Sequence, residues 1–361
     1  MTTQRKSPPA ALLSRQAFTE QVLARDGAAC VICGRAAGDG VLLDAHHIIE
    51  RRLWEDGGYY LENGATLCDE GENGCHMKAE KTEISVETLR ERCGINRTVV
   101  PDDLYADTVY DKWGNTVLAD GRRTMGPLYN DPSVRKVLAG VASLFTRKVK
   151  YPRTWHLPWS PGATDDDRVL KSLEMFKDRQ VVVTRKMDGE NFTGYPDATA
   201  HARSIDGRHH PSRDWAKTFW AQRAHDLPEN WRVVAENLYA VHSLRYDDLP
   251  GYLMGTSIWD ESNNCLSWDE TTVWFTLLEM PTAPVLWRGT WNEATVKALH
   301  VPARDDAAHE GYVVRLADAF PYGAFARSMA KYVRPNHVTT DRHWMRGRIL
   351  EANGLASRQH S

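Results

Sequence analysis

Between residues 10 and 26, apolar side chains recur at Leu12, Leu13, Phe18, Val22 and Leu23. That is close to the 3.6-residue period of a helix, and Gly27 supplies the stop. Val41 to Ile49 then reads as a strand. Turn signals follow at Asp56-Gly57-Gly58 and Asn63-Gly64, and a second strand leads to a segment of helical composition, Met77 to Glu83. Residues 84–105 look like the helical tail of this unit. Tyr110 to Asn115 predicts a turn between two short strands, and Val134 to Phe145 a helix. Thr164, with acids at Asp165, Asp166 and Asp167, predicts a helix start running to about Lys177. From Val181-Val182-Val183 onward the pattern is mainly strands, among them Trp231 to Glu236 and Gly311 to Leu316, with one helix near Ser212 to Ala224. A last helix is expected from Thr340 through Trp344 to Leu350. The pattern divides the chain into 1–105, a structured connector 106–150, and 151–361.

Composition narrows the classes. The 361 residues are 42% hydrophobic and 26% charged, with a net charge of -3 and a mean hydropathy of -0.52. This is ordinary for a water-soluble chain long enough for two domains. A polyanion site must therefore be a local patch. Arg147 to Arg153, basic with Tyr151 interleaved, reads first as a solvated face and second as a phosphate contact. There is no apolar N-terminal signal region, and the longest apolar stretch, Val137 to Phe145, is too short for a bilayer. The expectation is no membrane and a cytoplasmic location. Thirteen tryptophans suit stacking on bases and core packing equally.

Six cysteines, four of them grouped as Cys30, Cys33, Cys68 and Cys75, read as ligands of a structural zinc rather than a disulfide framework. Cys30 and Cys33 have knuckle spacing, whereas six residues separate Cys68 from Cys75. Cys93 and Cys265 are left as buried free thiols. Between the two pairs stand His46, His47 and Asn63, and His76 follows. Two strands and a helix framed by these residues, with Arg25-Asp26-Gly27 before and Lys78 after, resemble the HNH endonuclease fold. The resemblance implies that His47 is the general base, that His46 and His76 hold a catalytic divalent metal, and that Asn63 orients the His47 imidazole. A neutral imidazole can take a proton from water while a metal steadies charge on the scissile phosphate.

The stretch with the most specific chemistry is Lys186-Met187-Asp188-Gly189-Glu190-Asn191, at the end of a buried strand. After it come, in order, His201-Ala202-Arg203-Ser204, Val234-Ala235-Glu236-Asn237, Ser257-Ile258-Trp259-Asp260, Glu310 to Arg315, and Lys331-Tyr332-Val333-Arg334. This set resembles the nucleotidyltransferase motifs of ATP-dependent polynucleotide ligases, closest to RNA ligases of the phage RNA-ligase-2 type, over residues 151–340. The resemblance implies that Lys186 attacks the α-phosphate of ATP and carries AMP, which passes to a 5′-phosphate before a 3′-hydroxyl seals the strand. It assigns Glu236 to the AMP ribose and Glu310 to a divalent metal, Mg²⁺ or Mn²⁺. Arg203 falls near the adenylate phosphate or the incoming 5′-phosphate, and Lys331 on the α-phosphate. Lys331 is also expected to lower the pKa of Lys186.

Two positions depart from the pattern. Val333 stands where a second lysine is usual, leaving Arg334 as a substitute or not, and no adenine-stacking aromatic is evident near Tyr252 and Met254. His209-His210 reads as solvated or substrate-facing.

Together the resemblances imply an α+β chain: an N-terminal ββα-metal (HNH) zinc module and a C-terminal nucleotidyltransferase domain of ATP-grasp-like antiparallel sheets with helices. The expected partner is nucleic acid: RNA, an RNA/DNA hybrid or a nicked duplex. Three alternatives stay open: a ligase whose HNH part only reads nucleic acid, a capping-type guanylyl transferase, and a non-catalytic nucleic-acid binder.

Overall fold

In the computed structural model, which describes residues 10–164, 167–205, 209–305, 308–335 and 350–356, the first apolar stripe forms helix α1 (Arg15–Arg25). The Ser14 side chain accepts from the Ala17 amide and so satisfies one of the free donors of the first turn. Phe18 and Val22 are its buried face. They pack on an antiparallel hairpin, β1 (Leu43–His47) and β2 (Gly64–Cys68), in which His46 lies opposite Ala65 and His47 opposite Gly64. Helix α2 (Cys75–Glu80) starts directly after the loop that follows β2, and α3 (Val86–Arg92) follows it.

By contacts the chain divides into two units, Met1–Val149 and Lys150–Ser361. Residues 106–149 pack into the first of these. The Trp113 indole N–H donates to the Glu80 carbonyl at 2.9 Å, and the Lys112 ammonium donates to the His47 carbonyl at 2.9 Å. The helix expected over Val134 to Phe145 is shorter: α4 spans Pro132–Val137 and tightens into 3₁₀ turns over Leu138–Leu144.

The second unit is built on two sheets. Its strands are β3 (Trp155–His156), β4 (Gln180–Lys186), β5 (Glu190–Gly194), β6 (Ala200–His201), β7 (Arg232–Asn237), β8 (Leu253–Trp259), β9 (Asn264–Cys265), β10 (Val285–Thr290), β11 (Gly311–Leu316), β12 (Phe320–Pro321) and β13 (Met329–Val333). One sheet has the order β10-β4-β11-β13-β3 and the other β12-β9-β8-β7-β5-β6. Neighbours are antiparallel except β13 and β3. The expected helix near Ser212 is α5 (Asp214–Ala221). Helix α6 (Trp268–Leu277) opens with a capping box between Ser267 and Glu270.

Alternation sorts the first sheet's side chains. Val181, Val183, Tyr312, Val314, Ala330 and Tyr332 enter a core with Leu157, Phe176 and Val296, while Thr184, Lys186, Val313, Lys331 and Val333 line a cavity.

One expected helix is not found. From Asp167 to Lys177 the described residues form turns and one bridge. The His156 amide bonds the Arg168 carbonyl and the Leu170 amide bonds the His156 carbonyl, so the segment adds to the sheet edge beside β3. Asp167 Oδ2 still accepts from the Thr164 amide and hydroxyl, while its Oδ1 lies 3.4 Å from His156 and 3.5 Å from Lys331. Tertiary pairing has overridden a local helix-start signal. The expected helix from Thr340 lies outside the described residues except for Leu350, which is not helical. No described helix is long and apolar enough to cross a membrane.

Candidate active site

Lys186 ends β4 in the first sheet and Glu190 begins β5 in the second, so Met187-Asp188-Gly189 is the crossing point between sheets. Gly189 is required there, because an added Cβ would stand 2.6 Å from the Asn237 carbonyl oxygen. Gly311 pairs with Lys186 across the sheet and has φ +148°. A Cβ at this position would meet the Tyr332 carbonyl oxygen at 2.0 Å, so only glycine lets β13 close against the residue that follows Glu310.

Around this crossing lies a cavity of about 430 Å³. Lys186, Arg203, Glu236, Glu310 and Lys331, widely separated in sequence, all line it. The Lys186 ammonium donates to Glu310 Oε2 at 2.6 Å. Asp188 Oδ2 accepts from the Ser243 and Leu244 amides at 2.7 Å each, which fixes the turn after the lysine. Glu190 is held by Arg213.

The electrostatics depart from one expectation. Burial opposes the charge on Lys186, but Glu310, Glu236 and Asp188 outweigh it and raise its pKa. The lysine therefore rests protonated, and Lys331 does not activate it in this state. Lys331 itself is pulled down, mainly by burial, with Asp167 acting against that.

Burial pushes the Glu236 carboxyl up to about 7, with Glu310 adding to the shift. An unfolded glutamate ionises near 4.5. The folded chain thus binds the proton more tightly, and stability from this group is lost as pH rises through that window. Glu236→Gln is expected to flatten the fall in Tm between about pH 5 and about pH 7.5. Melting curves of variant and wild type that decline in parallel would remove Glu236 as the cause.

The two departures resolve structurally. Val333 faces the cavity, whereas Arg334, one residue on, is buried and donates to the Pro335 carbonyl. Alternation therefore excludes Arg334 as a replacement for the missing lysine. Met254 packs with Met187, Leu238 and Leu249, and the Tyr252 hydroxyl donates to the Asn353 carbonyl, so neither lines the cavity. Tyr151 is the one Phe, Tyr or Trp among the described lining residues. No local pattern singled it out, since it comes 35 positions before Lys186. His209 sits 2.7 Å from Asp214 Oδ1 and does not line the cavity.

In the first unit the four cysteines converge. The Sγ atoms of Cys30, Cys33, Cys68 and Cys75 all lie within 4.8 Å of one another, and Cys33 and Cys68 are 3.7 Å apart. Four thiolates at about 2.3 Å from a tetrahedral zinc are separated by about 3.8 Å, whereas a disulfide needs about 2.05 Å. The donor set fits zinc. Of the other two cysteines, Cys265 is buried, and Cys93 is only half-buried.

His46 and His76 also meet, and Glu80 joins them, with one donor atom from each within 4.8 Å. Glu80 was missed in the sequence although it lies one helical turn after His76 and shares its face. Lys112, 5% exposed, reaches Glu80 at 3.1 Å and Glu50 at 3.6 Å. No sequence signal marked it.

His47 points to the other face of β1. It stacks on Phe18 at 4.6 Å and meets Tyr59 edge-on at 5.1 Å, and its Nε2 is buried without a partner. Burial and Lys112 lower its pKa to about 4, so it is neutral near pH 7. Asn63 does not orient it. The Asn63 amide serves the main chain, accepting from the Ile49 amide at 2.9 Å and donating to the Ile49 and Gly58 carbonyls. It closes the loop between the strands.

No curated protein matches the chain. Among solved structures, it is similar to an RNA ligase of Naegleria gruberi with pyrophosphate (16% identity, 52% of this chain and 56% of that one, TM-score 0.38). A variant of that ligase with ATP and Mn gives 14% identity, 54% and 58% coverage and TM-score 0.38. An archaeal ATP-dependent RNA ligase gives 16%, 52%, 48% and 0.35. The chain spans about half the length of these proteins. Residues 179–333, the stretch that carries Lys186, Arg203, Glu236, Glu310 and Lys331, match the family model for RNA ligases.

Proposed function

We propose that residues 150–361 form an ATP-dependent RNA ligase that joins a 3′-hydroxyl to a 5′-phosphate through an adenylate on Lys186. The observation that carries this is the convergence of Lys186, Arg203, Glu236, Glu310 and Lys331 on one cavity. In the first step Lys186 Nζ, having lost its extra proton, forms a bond to the α-phosphorus of ATP while the bond to the bridging oxygen breaks and pyrophosphate leaves. The adenylate then moves to the 5′-phosphate, and attack by the 3′-hydroxyl expels AMP. Each is a displacement at phosphorus, so positioning and charge neutralisation supply most of the rate.

Within this reading each residue has a task. Lys331 and Arg203 meet phosphate oxygens, Glu236 accepts from a ribose hydroxyl, and Glu310, which pairs with Lys186 at rest, offers a carboxylate to Mg²⁺ or Mn²⁺. The metal supplies positive charge at the phosphates. Once Glu310 is turned to a cation or substrate, the main group raising the Lys186 pKa is withdrawn, and the amine can deprotonate.

For residues 1–149 the reading is an HNH-type module with a structural zinc on the four cysteines and a divalent metal on His46, His76 and Glu80, acting in repair or processing of nucleic acid. One observation favours a second reading, a non-cleaving nucleic-acid reader. The His47 ring packs against Phe18 and Tyr59, and its Nε2 is buried without a partner.

One panel tests both halves. The chain is incubated with ATP and Mg²⁺ or Mn²⁺ on end-labelled nicked duplexes whose strands at the nick are RNA or DNA. Lengthened products are expected, and their absence from every member overturns the ligase. Shortened products distinguish the nuclease from the reader. Covalent labelling from GTP rather than ATP would identify guanylyl transfer instead.

A further inference from the structure

Residues 350–356 return to the second unit as an extended strap along the loop 238–249. Their backbone bridges it at Ala352–Ala240 and Leu355–Leu249. The Val241 amide donates to the Glu351 carbonyl at 2.9 Å, the Gly354 amide to the Tyr246 carbonyl at 2.7 Å, and the Ala356 amide to the Leu249 carbonyl at 2.9 Å.

The centre of the strap is Asn353, 3% exposed. Its Nδ2 donates to the Leu238 carbonyl at 2.7 Å and the Ala240 carbonyl at 3.3 Å, and its Oδ1 accepts from the Tyr246 amide at 2.9 Å. One buried amide thus satisfies both ends of a loop that has no strand partner of its own.

That loop is what holds the turn after the nucleophile. Its Ser243 and Leu244 amides both donate to Asp188 Oδ2 at 2.7 Å, and the Tyr246 hydroxyl accepts from the Asp188 amide at 3.0 Å. Tyr246 is therefore shared: its main chain is gripped by Asn353 and Gly354, and its side chain grips Asp188. Asp188 lies two residues after Lys186.

We infer that Asn353 is a positioning residue for lysine adenylation, acting through the loop 238–249 and Asp188 to aim Lys186 at the α-phosphorus. The inference rests on the ligase reading above. It gives the strap a chemical task that neither the motif set nor the family match, which ends at residue 333, includes.

Asn353→Ala leaves the Leu238 and Ala240 carbonyls and the Tyr246 amide buried and unpaired. Asn353→Asp keeps the acceptor but sets a carboxylate oxygen against two carbonyls, so it is not expected to rescue. In full-length protein with wild-type Mg²⁺ and saturating ATP, Asn353→Ala should slow covalent labelling of Lys186 at least tenfold. The ATP concentration for half-maximal rate should stay nearly unchanged. The same variant should still seal a strand supplied with a ready-made 5′-adenylate, because that step needs no nucleophilic lysine.

A merely structural role would depress both reactions together, and that result overturns the inference, as does unimpaired labelling. Gly354→Ala, whose Cβ would crowd the Asp247 carbonyl at 2.7 Å, repeats the test through a different contact should Asn353→Ala fail to fold. A wild-type chain that takes no label overturns the ligase reading itself, and this inference with it.

Discussion

Lys186→Ala is expected to abolish covalent transfer of radiolabel from ATP to the protein, a loss of roughly 10⁴- to 10⁶-fold for removal of a nucleophile that acts with its neighbours as a unit. No other described lysine can take over. Lys331 lines the same cavity, but its ammonium lies 3.5 Å from Asp167 on a different strand. ATP affinity should fall far less, since Arg203, Lys331 and Glu236 remain in place. Sealing of a pre-adenylated strand should persist. The measurement is autoradiography of the denatured protein after incubation with labelled ATP and Mg²⁺. Equal labelling of the variant would place the adenylate on another residue and remove Lys186 from the mechanism.

Stripping the metal from the cysteine cluster should have the second-largest effect, and it should be confined to the first unit. Cys30, Cys68 and Cys75 lie in one core with Ile48, Ile49, Leu67 and Leu89. Without a cation, four thiols packed within 4.8 Å of one another lose the bond energy that gathers them. For structural zinc this is on the order of 10 kcal/mol, more than a unit of this size can spare.

Cys68→Ser, or exhaustive chelation, should therefore eliminate one transition in a thermal scan and release one equivalent of zinc, measured by elemental analysis. Because Cys75 is the first residue of α2 and His76 the next, the His46–His76–Glu80 cluster should fail with it. Lysine labelling in the second unit should survive. A zinc-free preparation with an unchanged scan would contradict the assignment of the cysteines.

The candidate ligase site was legible in the sequence to an unusual degree because nucleotidyl transfer fixes both residue type and order. A lysine must end a strand, a glycine must follow the crossing, and carboxylates and cations must recur on strands that close around it. Those positions, read from the sequence as a set, line one cavity. What misled was anything dependent on partners. The acids after Thr164 signalled a helix, but Asp167 found Lys331 and His156 across the sheet. Lys331 was expected to depress the Lys186 pKa, but three carboxylates stand closer in effect. Asn63 was given to His47, but the unpaired amide and carbonyl of Ile49 claimed it.

By itself, then, the sequence determined the strand and helix periodicities of most elements, the two-part organisation, the thiolate set and the identities of the groups around Lys186, because these depend on side-chain chemistry and short-range spacing. Only the tertiary structure decided which side chains complete each cluster. Glu80 and Lys112 beside His46, Tyr151 at the cavity wall, Arg334 turned away from it and Asn353 bracing the loop behind Asp188 depend on strand parity and on contacts between segments distant in the chain. A buried polar group takes whichever partner the fold brings within about 3 Å, and no local pattern encodes that choice.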